Sequence, residues 1–247
     1  MIYSQLVQRK KEGKKSFALL IDPDKPKKDE LLQLIKLANE EGVDYFFVGG
    51  SLLTNGSLED CIVTIKANST IPVVLFPGNG LMVNKNADAI LLLSVISGRN
   101  PEMLIGKHVE AAPSLRRSKL EIIPTGYMLI ESGKPTSASY MSNTTPIPAD
   151  KADIAACTAM AGEMLGLKCI FMDGGSGAHQ SVSPEMIQLV SSNIDVPLIV
   201  GGGIKNADMA LEKLRSGADL IVVGNAVEKD AGLISTISKT VKSYSKS

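Results

Sequence analysis

Three runs in the last third of the chain decide the fold: CIFMDGGSGAHQ from Cys169 to Gln180, VPLIVGGGIKNADMA from Val196 to Ala210, and ADLIVVGNAVEKD from Ala218 to Asp230. Each begins with a short, branched apolar segment, ends that segment in glycine or just short of it, and passes into a helix-like stretch. Near-continuous apolar runs of this length are the mark of parallel strands buried on both faces. Glycine at their ends lets backbone approach a ligand closely, and a following helix N-terminus offers free N–H groups and a favourable dipole. The expected guest is a phosphate.

The same alternation extends upstream. Ser16 to Ile21 is an apolar strand stopped by DPDKP, with Asp22 at its end. Lys28 to Glu41 places Leu31, Leu32, Leu34, Ile35, Leu37 and Ala38 at helical spacing, and Gly42 marks the stop. Val43 to Val48 gives a second strand, followed by Gly49, Gly50 and Ser51 and a helix over Leu58 to Ala67. A third strand runs from Ile71 to Phe76 and closes in PGNG, but Leu81 to Ala87 is short for a helix and predicts an irregular turn. Ala89 to Ser94 is the fourth strand, with a helix starting near Pro101, where proline is tolerated. Glu121 to Ile130 is the fifth, expected to be interrupted by Pro124 and Gly126. The connection ESGKPTSASYMSNTTPIPAD (131–150) exceeds the roughly 12 to 15 residues usual in compact domains and predicts a lid or binding loop. Lys151 to Leu165 resumes a helix before the three glycine runs.

Eight strands alternating with helices over 247 residues predict an α/β fold, a single (βα)8 barrel over residues 1–247 with an irregular or missing third helix. A doubly wound open sheet would carry its main glycine loop after the first strand. Here that loop is acidic and the glycine loops come late. In barrels the phosphate site commonly lies beyond strands seven and eight, on the catalytic face.

Composition narrows the classes. Apolar residues make up 44% and aromatics 4%, with no Trp, so Ile, Leu, Val, Ala and Met must build the core. Lys plus Arg and Asp plus Glu both number 26, which argues against a generally basic surface for nucleic acid. The short basic run of Arg116, Arg117 and Lys119 fits a helix C-terminus. Three widely spaced cysteines, Cys61, Cys157 and Cys169, suggest neither a disulfide framework nor a zinc set. No signal-length or membrane-length apolar run is present, so a soluble cytoplasmic protein is expected, though a lipid-like substrate could still reach it from a membrane surface.

Candidate chemistry gathers at one mouth. Asp22 and Asp24 end the first strand; carboxylates beside a phosphate repel it unless a cation intervenes, and Mg²⁺ is commonly held by one or two carboxylates with phosphate oxygens. The alternative is a pair of turn or cap aspartates. Asp173, just before GGSGA, could take a proton from a substrate hydroxyl or could brace the glycine loop. His179 follows that loop without triad or metal spacing, and His108 reads as a solvated helical side chain.

Taken together, DPDK, VGGS, MDGGSGA, GGGI and VGNAV resemble, in that order and over nearly the whole chain, the geranylgeranylglyceryl phosphate synthase family, with its bacterial heptaprenylglyceryl phosphate synthase relatives. The resemblance implies a Mg²⁺-dependent prenyltransferase. It would form an ether bond between sn-glycerol 1-phosphate and a polyprenyl diphosphate, with geranylgeranyl diphosphate as the expected donor. It implies Asp22 and Ser51 as Mg²⁺ positions, and Phe171, Met172, Asp173, Gly174, Gly175, Ser176, Gly177, Gly202, Gly203, Gly224 and Asn225 as the glycerol-phosphate site, with Asp173 accepting the hydroxyl proton. Two residues depart from the pattern: archaeal members usually carry Glu where Asp173 stands, and a Tyr where Phe171 stands. The prenyl trough is expected around Phe76 to Val83 and Leu92 to Ser97. A homo-oligomer is expected from apolar barrel helices. The other readings left open are a phosphate-sugar isomerase or synthase and a non-catalytic phosphate-binding barrel.

Overall fold

The computed structural model describes residues 1–78 and 82–244. Eight parallel strands close in sequence order, β1-β2-β3-β4-β5-β6-β7-β8, with β1 hydrogen-bonded back to β8. They are β1 Ser16–Ile21, β2 Tyr45–Gly50, β3 Val73–Pro77, β4 Ala89–Val95, β5 Glu121–Leu129, β6 Cys169–Asp173, β7 Leu198–Gly201 and β8 Leu220–Val223. The helices are α1 Ile2–Lys11, α2 Lys28–Glu41, α3 Leu58–Asn68, α4 Lys107–Ser118, α5 Ser137–Ser142, α6 Ala152–Met164, α7 Pro184–Ser191, α8 Ala207–Arg215, α9 Asn225–Lys229 and α10 Leu233–Ser243. A π-helical turn, Glu102–Gly106, leads into α4. Between β3 and β4 the described residues 82–88 contain no helix, as the short segment there predicts; Asn79, Gly80 and Leu81 lie outside the described residues.

Strand alternation divides the core in two. Phe17, Phe46, Leu75, Ile170, Met172, Val200 and Ile221 point outward and meet helix residues such as Ile35, Ile62, Ile65, Ile187 and Ile237. The intervening side chains, among them Ala18, Phe47, Val74, Leu91, Tyr127, Phe171, Ile199 and Val222, fill the barrel. Each fully buried Ile or Phe stabilises by roughly 1.5–3 kcal/mol relative to exposure. The helices follow from this pattern: α2 buries Leu31, Leu34, Ile35 and Ala38 on one face, and Ser57 caps α3 by accepting from Asp60 N at 3.1 Å.

One end of the barrel is sealed by α1. Its Ile2 and Leu6 insert among the interior side chains, and the Glu121 carboxylate accepts from the first amides of the helix, at 2.5 Å from Ile2 N and 2.9 Å from Tyr3 N. Lys10 and Lys15 flank Asp219 at 3.2 and 3.3 Å at the same end.

Contrary to expectation, β5 is not interrupted. Pro124 lies one residue before the first β5–β6 pair, Thr125 with Cys169, so its missing N–H costs no ladder bond, while its carbonyl accepts from Lys168 N at 2.7 Å. Gly126 is a close-approach site: a Cβ there would stand 2.8 Å from Ile96 Cδ1 and 2.9 Å from Ile170 Cδ1. Among the described residues no helix is long and apolar enough to cross a membrane.

Candidate active site

The open end of the barrel holds a chamber of about 810 Å³. Its walls are the loops that follow β1, β2, β5, β6, β7 and β8, and its floor is aromatic. Phe171 stacks on Phe76 at 5.2 Å and meets Tyr127 edge-on at 5.4 Å. Strand parity aims Phe171 and Asp173 inward, and by the same parity turns Met172 outward into the helix layer, fully buried among outer-core residues. Met172 can therefore offer a ligand only backbone, a correction to its expected place in the site.

Three loops build the anion cradle. Gly175, Gly177, Gly202 and Gly203 all adopt positive φ, curling successive amides in the manner of a nest. Gly202 shows why no side chain fits: at φ +78° an added Cβ would lie 2.5 Å from Asp173 Oδ1 and 2.7 Å from both Gly174 N and Gly175 N. Gly174 N donates to Gly201 O at 3.1 Å, and Asn225 Nδ2 donates to Ser176 Oγ at 3.0 Å, joining the β6, β7 and β8 loops. The helix ends do not all contribute as expected. Ser183 caps α7 and Asn206 caps α8 with their own side chains, accepting from Met186 N and Met209 N. Neither first turn lines the chamber, so the cradle rests on the loop amides and on the start of α9.

Asp173 is 7% exposed. Tyr127 donates its hydroxyl to Oδ2 at 2.5 Å, and Gly175 N donates to Oδ1 at 2.7 Å. Burial raises the Asp173 pKa above the usual carboxylate range, opposed by these two hydrogen bonds. Burial, with the neighbouring carboxylate, also pushes the Tyr127 phenol well above its ordinary value. Thus a phenol does stand in the site, on Tyr127 rather than at 171. Sequence inspection missed it because 46 residues separate Tyr127 from Asp173; only the pairing of Tyr127 with Phe171 across β5 and β6 brings them together.

Asp22 and Asp24 separate in role. Asp24 faces away from the chamber and gathers the loop after β2, accepting from Thr54 N at 2.7 Å, Thr54 Oγ1 at 2.9 Å, Asn55 N at 3.1 Å and Gly56 N. Those donors, Gly56 and Thr54 foremost, hold its pKa down to about 2. It is a loop brace, which corrects its pairing with Asp22 as a metal ligand. Asp22 lines the chamber with Ser51, and a Cβ at Gly50 would stand 3.4 Å from its carboxyl group. Its carboxylate accepts from Asp24 N at 3.2 Å and otherwise faces Lys25 Nζ at 3.7 Å. Among the described residues no three His, Cys, Asp or Glu side chains are grouped to hold a metal. A lone carboxylate beside a hydroxyl suits an ion that keeps waters and takes phosphate oxygens as its other ligands.

A second compartment of about 200 Å³ opens off the chamber. Gly50, Ser51, Phe76, Tyr127 and Ala138 belong to both. Beyond them its walls are mostly apolar, with Val83, Ile90, Leu92, Leu93, Val95, Met103, Leu115 and Met141 beside Lys107, His108 and Ser142. This agrees with the expected trough, less the residues outside the described set, and adds one wall from the π-helical turn and α4. His108 lines it as well. Far from being solvated, its Nδ1 is buried without a partner and its Nε2 lies 3.4 Å from Ser94 Oγ. His179 sits exposed at the chamber rim, where its carbonyl accepts from Lys205 Nζ at 3.0 Å. The 131–150 connection forms a roof: Lys134, Ser137 and Ala138 face the chamber, while Ala138, Met141 and Ser142 face the groove.

A closed barrel with glycine-built loops beside acidic and phenolic groups has the architecture of the (βα)8-barrel enzymes that take phosphate ligands. Residues 8–242 match the PcrB family model. A geranylgeranylglyceryl phosphate synthase of Chitinophaga pinensis is 53% identical, over 97% of this chain and 95% of its own. The solved synthase of Thermoplasma volcanium superposes with a TM-score of 0.92 at 33% identity over the whole of both chains. That of Thermoplasma acidophilum, solved with its substrate sn-glycerol-1-phosphate, superposes with a TM-score of 0.91 at 28% identity over 99% of both. The chain belongs to the PcrB family, and it is a prenyltransferase of the geranylgeranylglyceryl phosphate synthase type.

Proposed function

We propose that this enzyme transfers the geranylgeranyl group of geranylgeranyl diphosphate to sn-glycerol 1-phosphate with the help of Mg²⁺, yielding geranylgeranylglyceryl phosphate and diphosphate. The observation that carries this reading is the common wall, Gly50, Ser51, Phe76, Tyr127 and Ala138, between the loop-walled chamber and an apolar groove. A molecule with an anionic head and a long apolar tail fits across that wall, and a second, small anion fits the cradle beyond it. The substrate in the Thermoplasma acidophilum structure supports glycerol phosphate as the small anion.

In this reading the amides of Ser176 and Gly177, with Gly202, Gly203, Gly224 and Asn225, bind the glycerol phosphate, while those of Gly174 and Gly175 shape the loop through their bonds to Gly201 O and Asp173 Oδ1. Its free hydroxyl is thereby held toward the common wall, turning a collision into an oriented encounter. Asp22 and Ser51 would hold Mg²⁺, whose charge, when bound, offsets the negative charge growing on the departing diphosphate. The allylic C–O bond breaks with its electron pair leaving on diphosphate, the glycerol oxygen forms the new ether bond, and Asp173 accepts the hydroxyl proton. The aromatic floor and the roof formed by the 131–150 connection keep water from the electron-poor allylic carbon.

Incubation with sn-glycerol 1-phosphate, labelled geranylgeranyl diphosphate and Mg²⁺, followed by mass analysis of the organic extract, tests the proposal. The expected product is geranylgeranylglyceryl phosphate; absence of any prenylglyceryl phosphate across several donor lengths overturns it. Asp22→Asn is expected to lose Mg²⁺-dependent turnover while keeping glycerol-phosphate binding, whereas Asp24→Asn keeps the Mg²⁺ requirement. Equal loss of turnover and glycerol-phosphate binding in Asp22→Asn argues against the metal role.

A further inference from the structure

We propose that Lys25 is the cation shared between the two anionic subsites of this chamber, and that Glu228 positions it; the inference rests on the two-substrate reading above. Lys25 Nζ lies 3.0 Å from Asn225 Oδ1, 3.2 and 3.1 Å from the two oxygens of Glu228, and 3.7 Å from Asp22 Oδ2. Asp22 and Lys25 follow β1, whereas Asn225 and Glu228 belong to α9 directly after β8. Because β1 pairs with β8, Lys25 crosses the seam where the barrel closes. It reaches from the carboxylate on one side of the chamber to the amide of the cradle on the other.

Charge explains why a cation belongs there. The chamber lining carries the carboxylates of Asp22, Asp173, Glu228 and Asp230, and two phosphate-bearing molecules would add further negative charge within a few ångströms. Lysines 134, 205 and 229 also line it, yet Lys205 is turned to the His179 carbonyl. Lys25 is tied to both sides. Its three donors and half-exposed, flexible stem let it exchange a carboxylate for phosphate oxygens without moving the backbone.

The distances also assign a role to Glu228. Nζ is within hydrogen-bond range of Glu228 but beyond it from Asp22. The resting partner of Lys25 is therefore Glu228, and the Asp22 carboxylate stays open for a cation of its own. With Glu228 neutralised, the nearest carboxylate to Nζ is Asp22.

Calorimetry and steady-state kinetics on Lys25→Met, Lys25→Arg and Glu228→Gln test this, with circular dichroism to check folding. Lys25→Met is expected to weaken sn-glycerol 1-phosphate binding, measured without Mg²⁺ or donor, by about tenfold, and to raise the KM for geranylgeranyl diphosphate by about tenfold, the loss of one charge-assisted hydrogen bond at each site. Lys25→Arg should recover part of both. Glu228→Gln should leave both affinities within about threefold, since it touches neither substrate, but raise the Mg²⁺ concentration for half-maximal activity by about fivefold as Lys25 turns to Asp22. A Lys25→Met enzyme that keeps either affinity within about twofold of wild type overturns the shared role. An unchanged Mg²⁺ midpoint in Glu228→Gln overturns the positioning role. Should wild type form no prenylglyceryl phosphate, the proposed reaction falls, while binding of glycerol phosphate and of inorganic diphosphate to wild type and Lys25→Met still decides the part played by Lys25.

Discussion

Burial sets the chemistry of Asp173. A carboxylate that must ionise out of contact with water holds its proton to higher pH, and the raised pKa makes it a better proton acceptor once ionised. The sign follows for activity: if turnover needs the ionised form, it falls as pH drops through a value above the usual carboxylate range. For folding, burial disfavours the charged form, so this group opposes stability above its unfolded pKa and ceases to do so as pH falls. The hydrogen bond from Tyr127 works against that shift. Tyr127→Phe is therefore expected to move the acidic limb of the kcat profile to higher pH and to lower kcat, with glycerol-phosphate affinity less affected. A limb that stays in place, measured across pH 4 to 8, would remove Asp173 from the proton path. Residue-level legibility in the sequence was uneven for physical reasons. Asp173 and the glycines announce themselves through local spacing. Tyr127 could be found only through a strand pairing, Met172 only through strand parity, and the separate duty of Asp24 only through the three amides and the hydroxyl it collects from residues 54–56.

At the scale of elements, the roof over the site is built from the 131–150 connection, whose length reads as a lid or binding loop. Thr136 caps α5 by accepting from Ser139 N at 3.3 Å, and Ser139 Oγ accepts in return from Thr136 N at 3.1 Å. A parallel bridge between Ile130 and Ile147 pins the two ends of the connection together. The Ser, Thr and Pro content foretold a long loop, and its length foretold a functional one. The reciprocal cap that turns six of its residues into a helix was not noticed there. Ala138 of α5 faces both compartments, so its small side chain sets the width of the passage. Ala138→Phe is expected to raise the KM for the prenyl donor by about tenfold while leaving glycerol-phosphate affinity within about twofold, as measured by kinetics and calorimetry. Equal effects on both ligands would mean that α5 does not separate them. The π-helical turn at Glu102–Gly106 is the other element hidden from sequence: its spacing reads as ordinary helix, and it places Met103 and Lys107 on the groove wall.

For the molecule as a whole, the barrel order was legible because each of the eight strands carries its own apolar run and stop signal. The helix layer depends on many small burials, and no single one closes the ring. Ile237 of α10 is fully buried in the outer core, so Ile237→Ala is expected to destabilise the fold by about 2–5 kcal/mol. A shift in the urea midpoint with unchanged slope would show this. Activity below the transition should persist, since α10 lies outside the common wall.

The α1 plug has a consequence for traffic through the enzyme. With Ile2 and Leu6 filling the far end of the barrel, the chamber is a blind vessel, and whatever enters by the open face must leave by it. In the proposed reaction the product carries a phosphate at one end and the prenyl tail at the other, so one molecule of it would occupy cradle and groove together and exclude both reactants. Initial-rate measurements with added product should show competition against each substrate in turn. The enzyme would then slow as its lipid accumulates and recover only as that lipid is carried away.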